Sequence, residues 1–362
     1  MQETTPAPGP GALDETDLAL VHALQLAPRA AWVDLATVLG TTAPTLARRW
    51  RRLTATGTAW MTCHPGLPKG AAPPVGSMAL VEVTVAPGRV PGVVAELSRH
   101  TNAVNIQLLT GSRDLFVTVV ASDAERLSRY LHVRLPAVPG ITGIRVQVPL
   151  RIHKDAGAWR LRALDRDQRR RLAELTRTPG TAPAPFDLDA EDRAILSHLG
   201  PDGRLSTAEL ARRLGLSGAT VARRLSRLTA SGRARFRCEI ARPLTGRPVT
   251  MTWWLRVPAA ELHATATELV ALGDVRLCMA VTGTANLVVV MWLRHPSDAT
   301  ASEADWARRF PRVEVLDSAM TLQAVKCVGR LVDAGGRGTG YVPIHGFEDV
   351  RDAPAPPAFP SA

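Results

Sequence analysis

The chain is poor in cysteine, in aromatic residues and in long apolar runs. Its four cysteines (Cys63, Cys238, Cys278, Cys327) form no C-x-x-C pair, so neither a zinc ribbon nor a disulfide framework is indicated. Phe, Trp and Tyr together make up 4% of the residues. The longest apolar run, Leu287–Leu293, is far shorter than the roughly 20 residues that span a bilayer. Met1–Pro10 is polar and proline-rich, without the basic and apolar regions of a secretion signal, so a cytoplasmic protein with no membrane contact is expected. No paired catalytic carboxylates, Ser/His/Asp set or metal-ligand spacing stands out. No catalytic residue, metal or cofactor is therefore expected. Gly335–Gly340 contains a loose G-x-G-x-G, but it lacks the preceding βαβ context of a dinucleotide loop.

What the chain does have is positive charge and a long internal repeat. The formal charge of +11 suits a polyanionic partner. Residues 13–63 recur at 188–238 without a gap, with about 21 identities, among them Leu13-Asp14/Leu188-Asp189, Leu39-Gly40/Leu214-Gly215 and Arg48-Arg49/Arg223-Arg224. A repeat of this length decides architecture before any single residue does.

In the second copy Ser206-Thr-Ala-Glu209 reads as a capping box that opens a support helix. Gly215-Leu216-Ser217 makes the turn, and Ser217 caps the next helix. There Val221, Leu225 and Leu228 take core spacing, as Leu46, Trp50 and Leu53 do in the first copy. Thr45, Arg48 and Arg52 in one copy, and Thr220, Arg223 and Arg227 in the other, are expected to project outward. Two helix-turn-helix units result, spanning 13–63 and 186–240. A second helix bearing Arg and short polar side chains suits the major groove of double-stranded DNA. The alternative is a motif kept as scaffold or dimer element. Leu13–Cys63 holds 5 Arg against 4 acids and Leu188–Cys238 holds 10 against 5, so if one copy has lost DNA contact, the first is expected to be that one.

Residues 77–153 read β-α-β-β-α-β, with strands at Met78–Val85, Ala103–Leu109, Asp114–Val120 and Ile141–Leu150. The pattern returns over 248–329 at an offset of 172, anchored by Thr110-Gly111-Ser-Arg113-Asp114-Leu115 against Thr282-Gly283-Thr-Ala-Asn286-Leu287. Residues 1–12 read as a disordered tail, 64–76 as a linker, 154–185 as a linker with a short basic helix at Asp165–Leu175, and 333–362 as a flexible tail. The fold class is α+β: two winged or plain helix-turn-helix domains alternating with two ferredoxin-like sandwiches. The apolar strands predict that the sandwiches pair with each other, as an intramolecular pseudo-dimer or between chains.

This order of elements, with Leu216-Ser217, Val221, Arg224, Arg227-Leu228 and Gly232 and the two T-G-x-x-[DN]-L loops, resembles the Lrp/AsnC (feast/famine) family of transcriptional regulators. The resemblance covers roughly 13–150 and 188–329, so the chain looks like two family units in tandem. It implies DNA contacts from Thr45, Arg48, Arg52, Ser217, Thr220, Arg223, Arg224 and Arg227. It also implies an amino-acid-like effector at Gly111, Arg113, Asp114, Gly283 and Asn286. Glycine admits backbone N–H groups to a carboxylate, and a nearby carboxylate or amide accepts an ammonium. The same residue types also serve an ordinary turn between strands. The double architecture further resembles siroheme decarboxylases. The histidines are scattered, however, and an aromatic-rich loop near 110–116 is absent. A regulator without enzymatic activity is the expectation.

Overall fold

The computed structural model describes residues 13–66, 77–176 and 186–344. The expected tail at 1–12, most of the linker at 64–76, the segment 177–185 and the end of the chain from 345 lie outside the described residues.

Each repeat opens with three helices: α1 (Glu15–Leu26), α2 (Trp32–Leu39) and α3 (Ala43–Ala55), then α7 (Ala190–Leu199), α8 (Thr207–Leu214) and α9 (Gly218–Ala230). Local chemistry sets their ends. Asp14, Thr42, Asp189, Ser206 and Ser217 cap helix N-termini with their side chains. Gly40 and Gly215 end α2 and α8 in the left-handed region, each at φ 65°. Among the described residues no wing hairpin follows. Instead β1 (Ala59–Pro65) pairs antiparallel with its counterpart β7 (Ala234–Ile240), and Thr62 faces Arg237 at the centre. The two helix-turn-helix domains are thereby joined about a pseudo-two-fold axis.

Two arginines tighten that joint reciprocally. Arg29 donates to the carbonyls of Gly203 and Leu205, both at 2.8 Å. Its repeat equivalent Arg204 donates to Pro28 at 2.8 Å and Ala30 at 3.0 Å.

The sandwiches follow. The first contains β2 (Met78–Val85), α4 (Val90–Arg99), β3 (Ala103–Leu109), β4 (Leu115–Val120), α5 (Ala124–Arg129), β5 (Ile141–Gln147) and β6 (Pro149–Lys154). The expected fourth strand is thus two strands, interrupted at Val148. The second contains β8 (Val249–Arg256), α10 (Leu262–Ala271), β9 (Val275–Val281), β10 (Leu287–Leu293), α11 (Ser297–Arg309) and the long β11 (Glu314–Cys327). Strand alternation sends Val81, Val83 and Val117 under the helices of the first unit, and Trp253, Leu255 and Val289 under those of the second. The opposite faces meet across Leu80, Leu109, Phe116, Trp254, Met279 and Val288. This is why β10 is apolar throughout: both of its faces are covered.

The last strand of each unit serves both. β5 pairs with β2, and β6 then crosses to β9; the first half of β11 pairs with β8 and its second half with β3. Since β5 and β6 are nearly continuous, the strand order β5-β2-β4-β3-β11-β8-β10-β9-β6 closes on itself. Each crossing strand also ends in a lysine that reaches the other unit's helix. Lys326 donates to the carbonyls of Ser98 (3.0 Å) and His100 (2.8 Å) at the end of α4, and Lys154 to Val270 (3.4 Å) on α10. A cation there complements the negative end of the helix dipole. Burial alone pushes the Lys326 ammonium down to about 8.

The expected linker helix is α6 (Arg166–Leu175), opened by an Asp165/Gln168 capping box; Leu161, Leu164 and Leu172 are buried with the first helix-turn-helix. The flexible tail predicted from 333 needs correction over its described part. β12 (Arg330–Val332) and β13 (Gly338–Tyr341) form a hairpin there. Gly338 donates its N–H to Gly57 at 2.8 Å, and Ile344 is buried beside Ile195 and Leu199. Glycine is needed on both sides of this contact region: a Cβ on Gly57 would lie 2.2 Å from the Gly338 carbonyl oxygen, and one on Gly336 2.9 Å from Pro243. Among the described residues, no helix is long and apolar enough to cross a membrane.

Candidate nucleic-acid interface and effector loops

The second helices of the helix-turn-helix domains, α3 and α9, bury Leu46, Trp50, Leu53 and Val221, Leu225, Leu228. Around these stripes the arginines divide into two groups. Arg49 donates to Asp14 (2.6 Å) and Asp17 (2.9 Å), and Arg52 also pairs with Asp17. The other copy repeats the arrangement: Arg224 meets Asp189 (2.7 Å), Asp192 (2.9 Å) and Glu191, and Arg227 meets Asp192 at 2.6 Å. Asp17 and Asp192 are fully buried, and Arg227 also lies 4.2 Å over the Phe186 ring. Burial pushes the Asp189 carboxyl up, but the Asp192 N–H and Arg224 more than offset it and hold it below the usual carboxylate range.

Arg52, Arg224 and Arg227, expected at the DNA, are therefore turned toward the first helix of their own domain. A buried carboxylate needs a cation more than solvent does. Sequence reasoning missed a signal here. Arg224 lies three residues after Val221 and four before Leu228, so it flanks the core stripe rather than opposing it. The acids also recur in step with the arginines.

Arg48 and Arg223 are exposed and carry no ion pair among the described residues. Arg51 is exposed too, in the place of Ser226, and was not among the expected contacts. Thr45 and Thr220 sit in the first turn, hydroxyl to hydroxyl with the capping Thr42 (2.9 Å) and Ser217 (2.8 Å). Part of the second copy's arginine excess is internal: Arg237, in the place of Thr62, pairs with Glu239, and Arg233, in the place of Thr58, donates to the Phe186 carbonyl at 3.0 Å.

The two T-G-x-x-[DN]-L loops are equally repetitive. Thr110 exchanges hydrogen bonds with Met320 through its N–H and its hydroxyl, both 3.0 Å; Thr282 does the same with Val148 at 3.0 and 2.9 Å. Each loop thus grips the crossing strand of the other unit. Gly111 (φ 94°) and Gly283 (φ 114°) make the turn that follows. Asp114 accepts from the Val85 N–H at 2.7 Å, and Asn286 from the equivalent Val257 N–H at 2.9 Å. Arg113 is buried against Glu82 (2.7 Å) and Asp317, 3.9 Å over the Trp254 ring. The expected cradle of Arg113 and Asp114 over Gly111 is not assembled, because each charge is committed to a separate internal partner. The turn chemistry accounts for Gly111, Asp114, Gly283 and Asn286.

Fold and sites together define a two-headed protein: paired helix-turn-helix domains carried on two interlocked ferredoxin-like sandwiches. An AsnC-type helix-turn-helix domain model matches residues 13–54 and 188–229, and an Lrp/AsnC ligand-binding domain model matches 78–159. The chain thus carries Lrp/AsnC-family domains, with the helix-turn-helix present twice as in a tandem duplication. The HTH-type transcriptional regulator FL11 of Pyrococcus horikoshii is 24% identical over 143 residues, which are 93% of that protein and 40% of this chain. Along nearly the whole chain the fold is like that of the siroheme decarboxylase NirDL. Its complex with an iron-uroporphyrin III analogue superposes with TM-score 0.55 at 16% identity, over 92% of this chain and 95% of that one. A second NirDL structure gives 0.54 at 17%, over 87% and 93%.

Proposed function

We propose that this chain is a sequence-specific, DNA-binding transcriptional regulator of the Lrp/AsnC type, acting in the cytoplasm and modulated by an amino acid or similar small effector. The observation that carries the reading is the fixed pairing of the two reading heads. Arg29 and Arg204 clasp them reciprocally, and among the described residues α3 keeps two exposed arginines without an ion pair, Arg48 and Arg51, and α9 keeps one, Arg223. Such a pair suits two half-sites on one duplex, with Arg48 and Arg223 at base edges or phosphates and Thr45, Ser217 and Thr220 at the helix N-termini. Arg52, Arg224 and Arg227 position those helices. The test is a genome-wide pull-down of DNA fragments with the purified full chain, with and without an amino-acid pool. Recovery of discrete fragments that an Arg48→Ala/Arg223→Ala variant binds more weakly supports the reading; recovery of none overturns it.

A siroheme-decarboxylase-like tetrapyrrole enzyme is the second reading, favoured by the fold likeness along 92% of the chain. The histidines give it little support. His100 bonds the Tyr130 hydroxyl at 3.0 Å, His153 lies by His263 with ring centroids 5.5 Å apart, and His22 sits in the first helix-turn-helix. Titration with an iron-tetrapyrrole, followed by absorbance, separates the two readings. A saturable spectral shift favours the enzyme.

A further inference from the structure

The two sandwiches share a fold but differ beside their first helices. In the first, a groove of about 480 Å³ opens beside α4, lined by Arg89, Glu96, His100, Arg134 and Val138. Arg89 and Arg134 are exposed and carry no ion pair among the described residues. Gly88, Arg89 and Gly92 place the positive end of the α4 dipole at the same groove. His100 is buried, with Nδ1 on the Tyr130 hydroxyl and Nε2 3.4 Å from Glu96. Burial and the nearby Arg134 charge hold this imidazole below its ordinary value, so the positive charge of the groove comes from the two arginines. Ala137, Val138 and Pro139 supply a small apolar wall.

The second sandwich closes the equivalent place. At the offset of 172, Arg89 becomes Glu261, His100 becomes Leu272, Arg134 becomes Trp306 and Gly140 becomes Arg312. Trp306 is buried against Trp253, with ring centroids 5.0 Å apart, and Glu261 pairs with Arg312 across the mouth. Gly140 has φ 106°, and a Cβ there would lie 2.7 Å from that of Arg89. The groove therefore depends on specific residues of one half and is not a property of the fold.

We infer that the groove formed by Arg89, Arg134 and Glu96 is a binding site for a small carboxylate, one per chain, at a place distinct from the T-G-x-x-[DN]-L loops. The two guanidinium groups take the carboxylate. Glu96, which Arg99 holds through one oxygen at 2.9 Å, is the lining group that accepts an ammonium, and the apolar wall sets the size of the side chain. Contacts lead from the groove to the second reading head. The His100 carbonyl accepts from Lys326 at 2.8 Å; two residues on, Val328 is buried in the core of the second helix-turn-helix beside Ile195 and Leu196. This inference deepens the regulator reading by placing its effector, but binding is measured without DNA, so a failure of either appears in a different experiment.

The test uses the full chain and, as probes, the common L-amino acids and their corresponding 2-oxo acids, by thermal shift and then calorimetric titration. At least one probe stabilises the protein at millimolar concentration. Arg89→Ala and Arg134→Ala each weaken it by roughly 10- to 100-fold, the value of a lost charged hydrogen bond, while the melting temperature without ligand stays unchanged. Arg134→Trp, borrowing the second unit's residue, abolishes binding. Amino acids binding tighter than 2-oxo acids assigns Glu96 to the ammonium; equal binding assigns the groove to the carboxylate alone. The inference is overturned if no probe binds, or if a bound probe survives Arg134→Ala and is lost in Asp114→Ala.

Discussion

Set side by side, the two halves repeat the bonds that join the heads and lock the crossing strands, and they differ at particular side chains around that shared frame. Asp14–Arg49 and Asp189–Arg224, Arg29 and Arg204, Thr110 and Thr282, Lys154 and Lys326 make matching bonds at matching places. Arg51 against Ser226, Arg134 against Trp306 and His22 against Ser197 do not match. The second sandwich is also tied to the strand ribbon by a bidentate pair, Arg276 to Glu239 at 2.8 and 2.9 Å, where the first has Val104 and His64. In a duplicated chain, bonds that recur mark the shared frame, and a divergence such as Arg134 against Trp306 marks what one half does alone.

The comparison can be broken most sharply at Trp306. Trp306→Ala empties a filled core site and is expected to cost about 3–5 kcal/mol, whereas Arg134→Ala at the matching position leaves stability unchanged; denaturant unfolding of both variants decides. If both cost the same, the halves are not open and closed versions of one place. Next come the buried acids. Asp17→Ala and Asp192→Ala each remove a carboxylate shared by two guanidinium groups, leaving Arg52 or Arg227 without its acid, and are expected to cost about 2–4 kcal/mol, discounted because those groups are partly in water. The two losses should be alike, and unequal losses would mean that the second network's extra contacts, Arg224 with Glu191 and Arg227 with Phe186, carry weight.

His22 offers a third cut. Its Nδ1 accepts the Ala163 and Leu164 N–H groups at 3.2 Å, and burial with the charges of Arg160 and Arg169 pushes it down to about 4. The unfolded chain takes up a proton near pH 6.5 and the folded chain does not. Stability is therefore lost as pH falls from about 6.5 to 4, by up to about 3 kcal/mol. Hydrogen exchange should show α1 and α6 opening over that window while α7, with Ser197, stays protected. His22→Gln should flatten the profile. Last is DNA binding itself: Arg48→Ala and Arg223→Ala are expected to cost about 1–3 kcal/mol each, or to lower the salt slope by about 1 if the contact is to phosphate. Arg227→Ala should reduce stability more than it reduces DNA affinity at matched folded fraction. A larger effect on DNA would restore it to the interface.

The elements were legible because their signals are local. Caps at Ser206, Ser217 and Asp165, the period of Val221, Leu225 and Leu228, and the repeated loops all lie within a few residues of what they determine. What could not be read was the destination of long side chains. Arg224 and Arg227 can reach either DNA or Asp192, and only the placement of α7 chooses. Arg113 and Asp114 are adjacent in the loop before β4 yet bond different partners, Glu82 and Asp317 for the one and the Val85 N–H for the other. The glycines of 335–340 pair as a hairpin because Gly57, far away in the chain, lacks a side chain. Nothing local announces that contact.

The crossing strands carry one more implication. Two separate subunits joined by such strands would come apart on dilution, and every substitution would appear twice. Here both partners share one chain. Their association does not depend on how many molecules are present, and each half has been free to change alone. For a regulator with Arg51 in one head and Ser226 in the other, the matching DNA would have a left and a right, a direction that a palindrome lacks.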